Sequence, residues 1–159
     1  MAFFRGRTAA RGLITLSEPT AADLPSLADD DLRRHIVSWW SRAESSADVM
    51  YFVVLERGEP VGEIFLHDID SPPGEAGVGY YLLRHEHCGH GVGSDALALV
   101  VDYVHDQTDL RRLVIQTGST NVASQRVAER NGFVCFRRQP RPERADGADL
   151  VFFERPIAR

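Results

Sequence analysis

Two spacings of apolar residues alternate along this chain and divide it into strands and helices. "LITLSEPT" (residues 13 to 20) is rich in β-branched residues and stops at Pro19, which predicts a strand. Thr20 then caps a helix over residues 21 to 31, kept short by Pro25. A second helix, over 31 to 43, brings Ile36, Trp39 and Trp40 near one face. Two adjacent Trp cannot both sit in one buried stripe, so one is available to a ligand, although packing accounts for either. "YFVVLERGEPVGEIFLHDI" (51 to 69) reads as a hairpin, two β-rich runs about Gly58, Glu59 and Pro60. "SPPGE" turns the chain into a third run, "AGVGYYLL" (76 to 83), and such short turns let the three pair as an antiparallel meander.

After residue 90 the pattern changes to alternating helix and strand. "SDALALVVDYVHDQ" (94 to 107) sets Leu97, Val100, Val101 and Val104 at helical spacing, with Asp95 in the first turn where a negative charge suits the helix dipole. "RRLVIQTG" is a strand, and "STNVASQRVAERNGF" (119 to 133) is a helix ended by Asn131 and Gly132. "FVCFRR" and "LVFFER" are strands on either side of a polar loop, "QPRPERADGAD". No repeat or linker divides the chain. The order predicts one mixed α/β (α+β) domain over residues 1–159, with residues 1–11, which carry Arg5, Arg7 and Arg11, as a flexible tail.

Composition narrows the classes. The 159 residues suffice for a core without staples, and 43% hydrophobic with 26% charged residues is ordinary globular usage, not that of a disordered chain. A net charge of −5 argues against nonspecific nucleic-acid binding and mildly favours a cationic partner. Two cysteines, Cys88 and Cys135, are too few for a disulfide framework and fit a reducing compartment. No apolar run approaches a membrane span, and the N-terminal residues lack the apolar stretch of a signal peptide. A cytoplasmic protein with no nucleic-acid or membrane partner is expected.

The chemically pointed stretch is "RHEHCGHGVGSDAL" (84 to 97). His85, His87 and His90 invite a metal reading, but the glycines interrupt any shared face and Cys88 alternates away from the first two. No metal is expected. Gly89, Gly91 and Gly93 make the better argument: they let backbone N–H groups converge on a ligand, and the helix that follows points its free amides and positive dipole end at the same place. That is a cradle for an anion. A Walker loop is excluded, since no Lys-Ser/Thr follows the last glycine. A dinucleotide fold would place its glycines near the N-terminus rather than after a meander.

In this context "CGHGVG" (88 to 93) resembles the acyl-CoA signature of the GNAT N-acetyltransferases, with Gly91 and Gly93 on its glycine positions and Cys88 where Arg or Gln is usual. "NVASQRVAERNGF" is similar to a second block of that family through Asn121, Ser124, Gly132 and Phe133. "GVGYYLL" is similar to a strand of the subgroup that includes the ribosomal-protein N-terminal acetyltransferases. The resemblance implies a mixed sheet splayed at an acetyl-CoA cleft and flanked by helices. It implies that backbone groups of Tyr81, Leu82 and Leu83 bond the acetyl-pantetheine arm. Amides of Gly89, His90, Gly91, Val92, Gly93 and Ser94 would hold the pyrophosphate, and Asn121 and Ser124 would contact the cofactor from its far side.

Two departures bear on mechanism. Ala128 stands where many members carry a Tyr that protonates the leaving thiolate, and Gln116 stands where others carry a Glu base. The expected reaction is therefore direct attack of a bound primary amine on acetyl-CoA, with Ser124 positioning the sulfur. The base is sought among Glu63, His67, Asp68 and Glu75, of which Glu75 is taken as the catalytic residue because it shares a face with Gly77 and Gly79. The acceptor is an amine, either a protein N-terminus or a small molecule of aminoglycoside type. A catalytically silent acetyl-CoA-binding module stays open beside these, as does a homodimer.

Overall fold

The computed structural model describes residues 9–18, 30–83 and 89–158. The helix predicted from Thr20 lies outside these residues up to position 29, as do His85, His87 and Cys88. Eight strands form one sheet: β1 Ala9–Arg11, β2 Ile14–Ser17, β3 Met50–Glu56, β4 Glu59–His67, β5 Glu75–Leu82, β6 Arg112–Gly118, β7 Val134–Gln139 and β8 Leu150–Pro156. Three helices accompany them: α1 Asp30–Ser45, α2 Val92–Gln107 and α3 Val122–Arg130. The sheet order is β1-β2-β3-β4-β5-β6-β8-β7. Every neighbouring pair is antiparallel except β5–β6, which is parallel.

The predicted meander is β3, β4 and β5. Its first turn is only Arg57 and Gly58, both at positive φ (52° and 85°), the backbone a two-residue hairpin needs to follow strand twist. One expectation is corrected. Ala9–Arg11, read as part of a tail, pairs with Ile14–Leu16 through a turn at Gly12, whose φ is 57°. Nothing in "AAR" signals a strand; the edge of β2 supplies the hydrogen-bond partners that define one.

The two faces of the sheet are covered differently. Leu97, Val100 and Val104 of α2 and Ala128 of α3 pack on the side formed by Ile64, Leu66, Ala76, Val78, Leu113, Ile115, Val151 and Phe153. The opposite side holds a smaller cluster of Tyr51, Val53 and Phe65 with Ala43 of α1, against which Trp39 packs. The Trp pair divides as the sequence requires: Trp39 stacks on Phe65 with ring centroids 4.4 Å apart, while Trp40 is half-buried outside this cluster. The helices therefore leave one end of the β5–β6 seam between them, where the site is found.

Candidate active site

The parallel ladder of β5 and β6 has three rungs, Glu75↔Arg112, Ala76↔Leu113 and Gly77↔Val114. Beyond Gly77 the strands part, although β5 continues to Leu82 and β6 to Gly118. On its other side β5 stays paired with β4 as far as Gly62↔Leu82, so a wedge opens at the C-terminal ends of two parallel strands. This is the splayed cleft that the resemblance implies.

Ladder alternation decides which peptide groups face the wedge. The Leu83 N–H donates to Val61 O (2.9 Å), so its amide is committed to β4. Hydrogen-bonded pairs recur every second residue, which turns the peptide of Tyr81 towards β4 as well and those of Tyr80 and Leu82 towards the cleft. Of the three residues expected to offer backbone groups, Leu82 turns its peptide to the cleft, Tyr81 and Leu83 turn their N–H groups to β4, and Tyr80, which the sequence reading did not name, turns its own to the cleft.

At the head of the wedge stands the N-terminus of α2. Gly91 is its cap residue, at φ 86°, and Gly89 is at φ 85°, a left-handed backbone that side chains resist. The helix begins at Val92, two residues before the predicted start, because Gly91 rather than Ser94 makes the cap, and no side chain caps it. The first-turn amides of Val92, Gly93 and Ser94 are left without intrahelical acceptors, as at every helix start, and Gly91 O takes the N–H of Asp95 (2.9 Å). Gly93 is buried against α3, where a Cβ would make only ordinary contact with Val127 Cγ2 at 3.6 Å. The side-chain amide of Asn131, at the end of α3, donates to Ser94 O (3.0 Å), Ser94 Oγ (3.1 Å) and Val127 O (3.0 Å), fixing the first turn of α2. Gly89 and His90 are exposed beside it. This arrangement offers an anion free backbone amides at a helix N-terminus. Among the described residues no three His, Cys, Asp or Glu side chains are grouped to hold a metal ion, and of the three loop histidines only His90 is described.

The start of α3 forms the far wall. Asn121 is its N-cap, with Oδ1 accepting from the Ser124 amide at 3.1 Å, which leaves Nδ2 as the group it can offer a ligand. The Ser124 hydroxyl lies 2.8 Å from the hydroxyl of Tyr80, bridging β5 to α3.

The acid–base candidates separate sharply. Glu75 sits on the first rung of the closed end of the ladder, where its Oε2 accepts from Arg112 Nη1 at 2.6 Å; Arg112 is shared with Glu154. Six residue steps of strand, about 20 Å, separate Glu75 from Tyr81, so the face it shares with Gly77 and Gly79 does not bring it to the open part of the cleft. Asp68 is paired with Arg42 (3.4 Å) and with His67 Nδ1 (2.7 Å), also towards the closed end. Glu63 is different. It lies on β4 directly opposite Tyr81, only 1% exposed, and the Tyr51 hydroxyl donates to its Oε2. Burial pushes its carboxyl up to about 7, the Tyr51 hydrogen bond offsetting only part of that rise. The ionised Glu63 and partial burial together raise the Tyr81 phenol, burial contributing more. Phe65 and Trp39 complete an aromatic wall on this face, and Gly79 must lack a side chain because a Cβ there would stand 2.4 Å from the Phe65 ring.

A sheet split at a parallel seam, followed in the chain by an uncapped glycine-lined helix start, is the GNAT acyltransferase architecture, and the family model "Acetyltransferase (GNAT) domain" matches residues 10–134. The chain belongs to this family. It is similar to the YdaF protein of Bacillus subtilis (strain 168), 30% identical over 113 residues that make 71% of this chain and 61% of YdaF. It is also similar to the ribosomal-protein-serine acetyltransferase of Escherichia coli (strain K12), 34% identical over 83 residues, 52% of this chain and 46% of that protein. The matches thus span less than two thirds of each of these two relatives. Among solved structures, the RimL ribosomal L7/L12 alpha-N-protein acetyltransferase in complex with coenzyme A superposes with a TM-score of 0.81 at 19% identity, over 95% of this chain and 98% of that one.

Proposed function

We propose that this protein is an acetyl-CoA-dependent N-acetyltransferase of the cytoplasm that acts on the α-amino group of a polypeptide by direct attack. The observation that carries the reading is the three-rung β5–β6 ladder opening in front of the α2 amides. Inserted there, the pantetheine arm adds to the free edge of β5 through Leu82 and Tyr80, and the pyrophosphate meets the amides from Gly89 to Ser94 with no lysine required. Asn121 Nδ2 and Ser124 meet the cofactor from α3.

The relatives named above support the protein acceptor, two of them acting on ribosomal proteins by name. The general base is Glu63 rather than Glu75. A carboxyl group titrating near 7 can take a proton from an ammonium group at neutral pH, and it stands one strand from the thioester end of the wedge. The amine nitrogen attacks the acetyl carbonyl, its proton passes to Glu63 directly or through water, and the thiolate leaves.

Free-thiol release from acetyl-CoA tests the reading. Peptides that begin with Ser or Ala should turn over, and the same peptides with a blocked α-amino group should not. Turnover with aminoglycosides or polyamines but not with peptides would move the acceptor to small molecules. No release with any amine, despite CoA binding, would leave a binding module.

A further inference from the structure

The Tyr80 backbone lines the cleft; its side chain has no role in the reaction as described, yet it holds a specific position. It projects from β5 towards α3, and its hydroxyl lies 2.8 Å from Ser124 Oγ and 3.0 Å from Ser124 O. A phenol has one proton, so the pair has two arrangements. In one, Tyr80 donates to the Ser124 carbonyl and accepts from Oγ, which consumes the serine proton. In the other, Tyr80 donates to Oγ, and the serine hydroxyl is free to donate elsewhere.

The geometry points to Tyr80 as the positioning residue that arms Ser124 as proton donor to the departing CoA sulfur. The inference rests on the acetyl-transfer reading above. The nitrogen–carbon bond forms as the amine attacks, and the carbon–sulfur bond breaks as the tetrahedral adduct collapses, the sulfur leaving with the bonding pair. Sulfur takes the Ser124 Oγ proton, and Oγ takes the Tyr80 proton. Tyr80 recovers a proton from solvent when CoA leaves, matching the one the amine gave up through Glu63. The step needs no other reactant.

Two further observations favour this. Ala128, one turn further along α3, is buried and offers no proton, so Ser124 is the hydroxyl of α3 that faces β5. Burial raises the Tyr80 phenol, with the hydrogen bond to Ser124 pulling it back in part. The phenol therefore stays protonated at neutral and mildly alkaline pH, where the thiolate is formed.

The competing role is a brace that only ties β5 to α3. Ultraviolet titration of the thiol of bound CoA separates the two without needing an acceptor. It is followed in the unaltered protein, Tyr80→Phe, Ser124→Ala and the double variant, beside CoA affinity and melting temperature. A donated hydrogen bond favours the thiolate, so either single change should raise the bound thiol's midpoint by about one pH unit. The double variant should go no higher than Ser124→Ala, and CoA affinity in Tyr80→Phe should hold within about twofold. Turnover of a Ser-peptide should fall about tenfold or more in Tyr80→Phe with KM unchanged. A thiol midpoint in Tyr80→Phe equal to the unaltered protein's overturns the inference. So does a loss of CoA affinity and melting temperature with the midpoint unmoved. Failure of the unaltered protein to bind CoA would instead overturn the acetyl-transfer reading, and this inference with it.

Discussion

Glu63 faces Tyr81 across the β4–β5 ladder, so the one buried carboxyl group among the described residues stands beside the stretch of β5 that has already parted from β6. That neighbourhood makes the pH profile diagnostic. Glu63 acts as a base only when ionised, so the rate should rise as pH passes about 7. In Glu63→Gln that limb should vanish and the rate fall on the order of a hundredfold, leaving only the acceptor amine's own titration. Tyr51→Phe removes a hydrogen bond that favours the ionised form and should move the limb to higher pH. An unshifted limb in both variants would take the role from Glu63.

The same carboxyl makes stability depend on pH, with a sign opposite to that of a paired acid. Its folded value of about 7 lies above the ordinary 4.5, so the folded state binds this proton more tightly than the unfolded chain does. Its contribution is intact below 4.5, is lost as pH rises to about 7, and is constant above that. Glu63→Gln should therefore gain on the unaltered protein between pH 4.5 and 8 by something on the order of 3 kcal/mol in denaturant unfolding. A gap that does not change with pH would mean that Glu63 is not desolvated.

The elements that carry the cradle were legible because their signals are local. Gly89 and Gly91 announce positive φ, and the spacing from Leu97 to Val104 announces a helix, whereas the N-cap of α3, Asn121, lies two residues beyond the predicted helix start. The strand pattern also named Glu63 among the candidate bases. It could not say that Glu63 is buried, since that depends on α1 bringing Trp39 onto Phe65. Glu75 drew the catalytic role by alternation, which reports the face of a sheet but not the distance along it. Non-local partners left still less trace. Insertion of β8 between β6 and β7, and the meeting of Tyr80 with Ser124 across 44 positions, arise only when the sheet closes. Asn131 likewise read as a helix stop and turned out to hold the first turn of α2 as well.

Glu75 should behave as a structural group. Its carboxylate joins Glu154 on Arg112, so Glu75→Gln weakens a partly exposed ion-pair network at the closed end of the seam. The expected cost is below about 1 kcal/mol. Turnover should stay within about twofold, with KM for acetyl-CoA unchanged. A large loss of kcat without a loss of stability would return the base to Glu75.

Gly91→Val tests the cradle. No atom lies within 4 Å of the position a Cβ would take, so the change meets no clash, but φ of 86° resists any β-branched residue. Left-handed backbone costs an L-residue roughly 1–2 kcal/mol, enough to displace the amides without unfolding the sheet. CoA affinity should fall more than tenfold while far-ultraviolet circular dichroism stays near that of the unaltered protein. Calorimetry giving equal affinities would remove the α2 start from the binding site.

Thermal stabilisation by CoA discriminates a cofactor cleft from a generic phosphate site. A ligand that binds only the folded state adds RT ln(1 + [L]/Kd), about 2.7 kcal/mol at a hundredfold excess over Kd. Each kcal/mol raises the midpoint of a chain this size by roughly 2–4 °C, so saturating CoA or acetyl-CoA should raise it by about 5–10 °C. ATP offers the same amides a polyphosphate but has no arm to pair with Leu82 along the wedge, so its shift should be much smaller. An ATP shift equal to that of CoA would mean that the α2 amides bind phosphate and the parted strands contribute nothing.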